Sequence, residues 1–277
     1  MLNAKAPPQP KDVWIDHPLG RLAVRVWAPG SADGSKSPIV LLHDSLGSID
    51  LWRSFPKILS ESAGRSVIAY DRLGFGRSDP RHGRLGRDFV AEEAEVFFPI
   101  LREQLGFDRF ILFGHSVGGA MAVHIAARFA DSCEALITEA AQAFVEDRTL
   151  QGILAAKAAF QQPGQLQRLQ KYHGDKARWV FDAWTETWLD PAFAGWNLEA
   201  VLPRVKCPVL AIHGAQDEYG SALHPQKIAA LVRGPSRCEI LANLQHVPHR
   251  EQERVIVDLM ANFLASTLSC TESQGNS

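Results

Sequence analysis

Cysteine is scarce in this chain of 277 residues. Cys133, Cys207, Cys238 and Cys270 stand far apart, with no CxxC pair among them. Such spacing supports neither a disulfide framework nor a zinc knuckle, so reduced thiols in a cytoplasmic protein are the expectation. An excess of one charge is missing too. Lys and Arg number 29 against 31 Asp and Glu, a net charge of −2, which gives no electrostatic case for nucleic acid or an anionic membrane. Arg81, Arg84 and Arg87 do cluster, beside His82, Gly83 and Gly86, and read as a solvated loop. No apolar run approaches the roughly 18 residues a membrane span needs. The opening MLNAKAPPQPKDVW has no signal-peptide core. GxxxxGK[ST] and HExxH do not occur, and Gly74 and Gly76 would need a third glycine where Asp79 stands to form a dinucleotide loop. No cofactor and no metal is implied. A small-molecule substrate and a monomer or homodimer are expected.

What the chain does have is an ordinary globular composition, 46% apolar and 22% charged, at a length that can bury a large core. After a Pro-rich lead-in with Pro7, Pro8 and Pro10, DVWID, HPLG and RLAVRVWA read as strand, turn and strand. The polar PGSADGSKSP follows as a loop. IVLLH, SVIAYD, RFILFG, EALITEA and PVLAIHG are then continuous apolar runs suited to strands covered on both faces, with RCEIL a weaker instance. LWRSFPKILSES, DFVAEEAEVFFPILREQLG and REQERVIVDLMANFLAST space apolar residues at three and four, with Gly106 placed to stop the second of these helices. Strands alternating with helices predict an α/β fold: a mainly parallel sheet with helices on both faces and an antiparallel hairpin at one edge. Residues 142–200 break the rhythm, being helical in pattern without a strand. They carry Trp179, Trp184, Trp188 and Trp196, four of the seven tryptophans. This segment is expected to form a helical cap inserted after the sixth strand, on a core of residues 1–141 and 201–277.

The sharpest signal is FILFGHSVGGAMAVHIAARFA, where Gly114, Gly118 and Gly119 surround Ser116 between a buried run and an Ala-rich helix. Glycine is costly inside helices and strands, so three in six residues imply a backbone demand. A strand that turns at once into a helix strains its turn residue, and the glycines remove side chains that would collide. This G-x-S-x-G nucleophile elbow sits in the strand–turn–helix setting it requires, with the serine at a helix N-terminus that favours negative charge.

With GHSVGG, LLHDSLGS, YDRLGFGRSD, IHGAQDE and LQHVPHREQ in this order, the chain resembles the α/β-hydrolase family over nearly its whole length. A serine hydroxyl needs a base, and the base a third group to orient it. The resemblance implies Asp217 as the acid and His246 as the base. Glu218 and Glu139 stand as alternative acids, and His249 as a structural residue. His115 is a pocket-wall position. The N–H groups of Ser45 and Val117 are the implied oxyanion donors. Asp44 departs from the family's glycine and would add a negative wall to the pocket, which Trp179, Trp184 and Trp188 would also line. The function so implied is hydrolysis of a carboxylic ester or thioester of a small apolar or aromatic substrate through an acyl-enzyme. The alternatives are a carbon–carbon bond or enol-lactone hydrolase, an N-terminal peptidase, and a non-catalytic binding protein.

Overall fold

The structure, a computed structural model, describes residues 8–30 and 36–272. The first seven residues of the lead-in and the middle of the PGSADGSKSP loop lie outside them. Eight strands form one sheet: β1 (Lys11–Ile15), β2 (Leu22–Trp27), β3 (Ile39–Leu42), β4 (Val67–Tyr70), β5 (Phe110–His115), β6 (Cys133–Glu139), β7 (Val209–Gly214) and β8 (Ser236–Leu241). Their order is β1-β2-β4-β3-β5-β6-β7-β8. The hairpin β1–β2 is antiparallel and β2 joins β4 antiparallel, whereas every pairing from β4 to β8 is parallel.

The apolar runs have no polar alternation because both faces are covered. Val40, Leu42, Ile68, Tyr70, Phe110 and Leu112 face one buried cluster. Their neighbours Ile39, Leu41, Val67, Ala69, Ile111 and Phe113 face another. Each of the larger side chains contributes roughly 1.5–3 kcal/mol on burial, so the sheet centre carries much of the core. The first helix is α1 (Phe55–Ala63). It begins later than the LWRSFPKILSES pattern suggests, because Pro56 is tolerated only in a first turn. The turn Ile49–Trp52 precedes it as a separate 3-10 segment.

Next come α2 (Phe89–Glu92) and α3 (Phe98–Leu105), joined through a π-turn at Glu93–Phe97. A proline inside a helix clashes with the carbonyl four residues back, and the widened turn just ahead of Pro99 relieves that crowding. Gly106 ends α3 in the left-handed conformation expected of it, φ 69°. Helix α4 (Val117–Arg128) follows β5 after the single residue Ser116. Between the sheet neighbours β6 and β7 the chain runs through α5 (Asp147–Ala159), α6 (Gln165–His173) and α7 (Ala177–Trp188). An isolated antiparallel bridge, Phe144 to Asn197, ties together the two ends of this excursion. Helices α8 (Leu223–Leu231), α9 (Pro248–Glu251) and α10 (Glu253–Glu272) complete the chain. The last helical pattern is thus split, at Gln252, whose φ of −140° leaves the helical region. Cys133 and Cys207, distant in sequence, meet as free thiols with sulfurs 3.7 Å apart. Among the described residues no helix is long and apolar enough to cross a membrane.

Candidate active site

The carboxyl ends of the parallel strands bring Ser116, His246 and Asp217 together. Ser116 occupies the single-residue turn between β5 and α4 at φ 56° and ψ −128°. Such a conformation is strained for a side chain with a Cβ and persists only where the surroundings fix it. Here its N–H donates to Glu139 O at 2.9 Å, and its carbonyl accepts from Gly119 N at 2.9 Å. The flanking glycines are required by close approach: a Cβ on Gly114 would collide with the Gly118 carbonyl, and one on Gly118 with the Leu42 carbonyl. That is the physical content of three glycines in six residues.

His246 lies in the loop between β8 and α9. Its Nε2 is 3.1 Å from Ser116 Oγ, and its Nδ1 is 2.8 Å from Asp217 Oδ2 and 2.9 Å from Oδ1. With the Nδ1 proton donated to Asp217, Nε2 is left as the acceptor for the serine hydroxyl. Two features hold this loop down. Gly214 leaves room for it, since a Cβ there would meet the carbonyls of Leu244 and Gln245. The Glu251 carboxylate accepts from the N–H groups of Gln245 at 2.7 Å and Val247 at 3.0 Å, which accounts for the short α9 ahead of α10.

Asp217 is 2% exposed and accepts from Tyr219 N at 2.7 Å and Gly220 N at 3.2 Å. Burial alone would raise its pKa. The hydrogen bond and charge of His246, with help from His213 and the Tyr219 N–H, outweigh burial and hold it below the usual carboxylate range. The alternative acids are placed elsewhere. Glu218 is exposed. Glu139 is fully buried and hydrogen-bonds His249 Nδ1 at 2.5 Å. His249 itself packs among Trp52, Phe55 and Phe113. His115, Glu139 and His249 lie close enough to share an ion, but two of the three are joined as this hydrogen-bonded pair.

Asp44 needs no glycine-like backbone, because it is not among the described residues with positive φ. Its Oδ1 accepts from Leu46 N at 2.7 Å, an Asx-type turn that passes over Ser45. Neither the Ser45 nor the Val117 N–H has an acceptor within the fold among the described residues. Asp44 Oδ2 faces His115 Nδ1 at 3.4 Å, while His115 Nε2 hydrogen-bonds the His246 carbonyl at 2.8 Å. The expected negative wall is therefore engaged on both oxygens. Burial opposes ionisation of Asp44, but the His115 contact wins and holds its carboxyl well below the usual range. Burial likewise opposes charging of His115, and the Asp44 contact raises its pKa nonetheless.

Ser116 opens onto a cavity of about 200 Å³. Ile153, Trp184 and Trp188 contribute apolar wall from the segment between β6 and β7, and Leu46, Leu51 and Val247 from the core loops. The expectation for Trp179 is corrected. Its indole N–H donates to Gly83 O at 2.8 Å and its ring meets Phe75 edge-on, so it fastens α7 to the loop after β4 outside this cavity. Trp196 likewise stacks on Phe193, with ring centroids 5.5 Å apart. In the arginine cluster, Arg81 pairs with Glu92 and Arg84 with Glu186.

Gln142, Tyr219 and Arg250 also line the cavity, without a role assigned from the sequence. Gln142 Oε1 stands 3.2 Å from Ser116 Oγ. The Tyr219 ring is 4.8 Å from that of His246, and burial pushes its hydroxyl up to about 12, so it stays protonated. The usable signal was position. Gln142 lies just past the end of β6, Tyr219 two residues beyond the acid, and Arg250 four beyond the base.

Comparison with known proteins agrees with the fold. The profile of the alpha/beta hydrolase fold matches residues 37–163. Human 1-acylglycerol-3-phosphate O-acyltransferase ABHD5 is 38% identical over 109 residues, which is 37% of this chain and 29% of ABHD5, so the chain's match spans under a third of that relative. Human serine hydrolase BPHL is 27% identical over 194 residues, 66% of this chain and 64% of BPHL. A bacterial membrane phospholipase A superposes with a TM-score of 0.77 at 21% identity, over 93% of this chain and 86% of that one, a likeness of fold. Similar proteins also include a carboxylesterase, an enol-lactonase and proline iminopeptidases.

Proposed function

The chain belongs to the α/β-hydrolase fold family, and from that premise we propose that it is a serine hydrolase of carboxylic esters. The observation that carries the reading is the unbroken run of contacts from Ser116 Oγ through His246 to Asp217, at 3.1 Å and 2.8 Å. His246 Nε2 takes the hydroxyl proton as Oγ attacks the ester carbonyl. The oxyanion is received by the N–H groups of Ser45 and Val117, which have no competing acceptor among the described residues. The tetrahedral intermediate collapses, His246 returns the proton to the leaving alkoxide, and an acyl-serine remains. Water then gives its proton to His246 and attacks the acyl carbon, releasing the acid and restoring Ser116. Asp217 stays ionised throughout and keeps the imidazole in the tautomer each step needs.

Support for an ester comes from the mostly apolar cavity walls and from a family that includes hydrolases of carbonyl substrates. The segment at residues 142–200 acts in this reading as a cap that sets substrate choice, because every group assigned to bond breaking lies outside it. Rapid mixing with a p-nitrophenyl ester in excess should release a burst of nitrophenol equal to the active protein, followed by slower turnover. Cleavage of a vinylogous ring-cleavage acid with no activity on aryl esters or thioesters would move the reading to carbon–carbon bond hydrolysis.

A further inference from the structure

Arg250 borders the same cavity as Ser116, yet no carboxylate lies within ion-pair distance of it among the described residues. It stands on α9, one turn beyond His246. Its Nε donates to Leu51 O at 3.1 Å. That single tether holds the guanidinium by its Nε and leaves both Nη groups without an acceptor among the described residues.

The other charges around the cavity are already matched. Asp217 meets His246 and Asp44 faces His115. Glu251, next to Arg250, uses its carboxylate on the backbone of the His246 loop. Arg72 is not among the residues lining this cavity; it donates to the Asp44 carbonyl and lies over the Phe75 ring at 4.2 Å, with its Nε unpaired. Among the described residues Arg250 is therefore the lining arginine with unused donors, at a cavity that presents Leu46, Leu51, Val247, Ile153 and two tryptophans beside the polar Gln142, Thr149 and Tyr219. A guanidinium offers two parallel donors that match a carboxylate or phosphate, and the pairing strengthens where water is excluded.

We propose that Arg250 is a specificity-determining residue that binds an anionic group, carboxylate or phosphate, on an otherwise apolar ester. The inference rests on the ester-hydrolase reading and names its substrate class: a molecule with a scissile ester at Ser116 and a negative charge at the Leu51–Arg250 end of the cavity.

Three aryl esters of similar length test it: p-nitrophenyl butyrate, p-nitrophenyl hemisuccinate and p-nitrophenyl 3-phosphonopropionate. The wild type should favour at least one anionic ester in kcat/KM, and the anion that is favoured identifies the source. Arg250→Gln should lower the ratio of anionic to neutral kcat/KM by about 20-fold or more, the scale of a lost charge-assisted pair. Arg250→Lys should recover part of it, which a merely structural role would not produce. A ratio unchanged within about twofold in Arg250→Gln overturns the proposal. A binding measurement separates this failure from that of the hydrolase reading. Monoethyl succinate should bind the Ser116→Ala protein at least about tenfold tighter than diethyl succinate, and Arg250→Gln should remove the difference. Selective binding without turnover of any ester would sink the hydrolase reading and leave the anion site standing. Equal binding of the two succinates would contradict the anion site.

Discussion

At the scale of single residues, chemistry follows from which carboxylate faces which histidine. Ser116 stood out because glycines crowd it, whereas Asp217 and His246 were assigned through the resemblance of IHGAQDE and LQHVPHREQ to the α/β-hydrolase family. Gln142 and Arg250 were not legible, because a residue type alone does not say which way a loop side chain turns. The competing acid, Glu139, is settled by geometry in favour of His249. Asp217→Asn should keep the fold and lower kcat by roughly 10⁴, the scale of holding a base in the wrong tautomer. Glu139→Gln should instead cost stability, about 1–3 kcal/mol for weakening a buried hydrogen bond to a charged group, while kcat per folded molecule stays within about tenfold. Circular dichroism beside steady-state kinetics on one aryl ester checks both, and a reversed ranking would move the acid to β6.

The Asp44–His115 contact gives a prediction in pH. Asp44 has a depressed folded pKa, so its contribution is present above the unfolded value near 4 and fades as pH falls below it. His115 has a raised folded pKa, so its contribution is complete below the unfolded value near 6.5 and fades as pH rises through the folded one. The difference in Tm between wild type and Asp44→Asn should therefore be widest between about pH 4 and 6.5, and narrower at both pH 3 and pH 9. A difference flat across that range would show that the contact is not an ion pair.

At the scale of elements, the central strands were the easiest to read, because short continuous apolar runs between turn residues suit strands covered on both faces. Helix boundaries were harder. Pro56 delays α1, Pro99 follows a π-turn, and Gln252 separates α9 from α10, each a backbone detail that apolar spacing does not encode. The tryptophans divide in the same way. Trp184 and Trp188 face the cavity, whereas Trp179 is held by Gly83 and Phe75, and composition alone could not separate them. Trp184→Ala should change the ratio of kcat/KM between long and short p-nitrophenyl esters by about tenfold, the scale of a few methylenes in an apolar pocket. Trp179→Ala should lower Tm and leave that ratio within about twofold. An equal shift from both variants would make the effect one of general loosening.

At the scale of the whole molecule, the candidate site is assembled from the loops after β3, β5, β7 and β8, so residues 201 positions apart, Ser45 to His246, act at one point. The sheet carries that assembly without the segment between β6 and β7, because those strands pair directly, and an excursion between neighbours can grow without breaking the register. The central claim is that Ser116 is the nucleophile. The most direct measurement is the intact mass of the protein after treatment with a fluorophosphonate, with the modified residue located by peptide mapping. One adduct per chain, on Ser116, absent in Ser116→Ala and strongly slowed in His246→Ala, is the result this account predicts. No adduct on a folded protein, or an adduct that persists in Ser116→Ala, would contradict it.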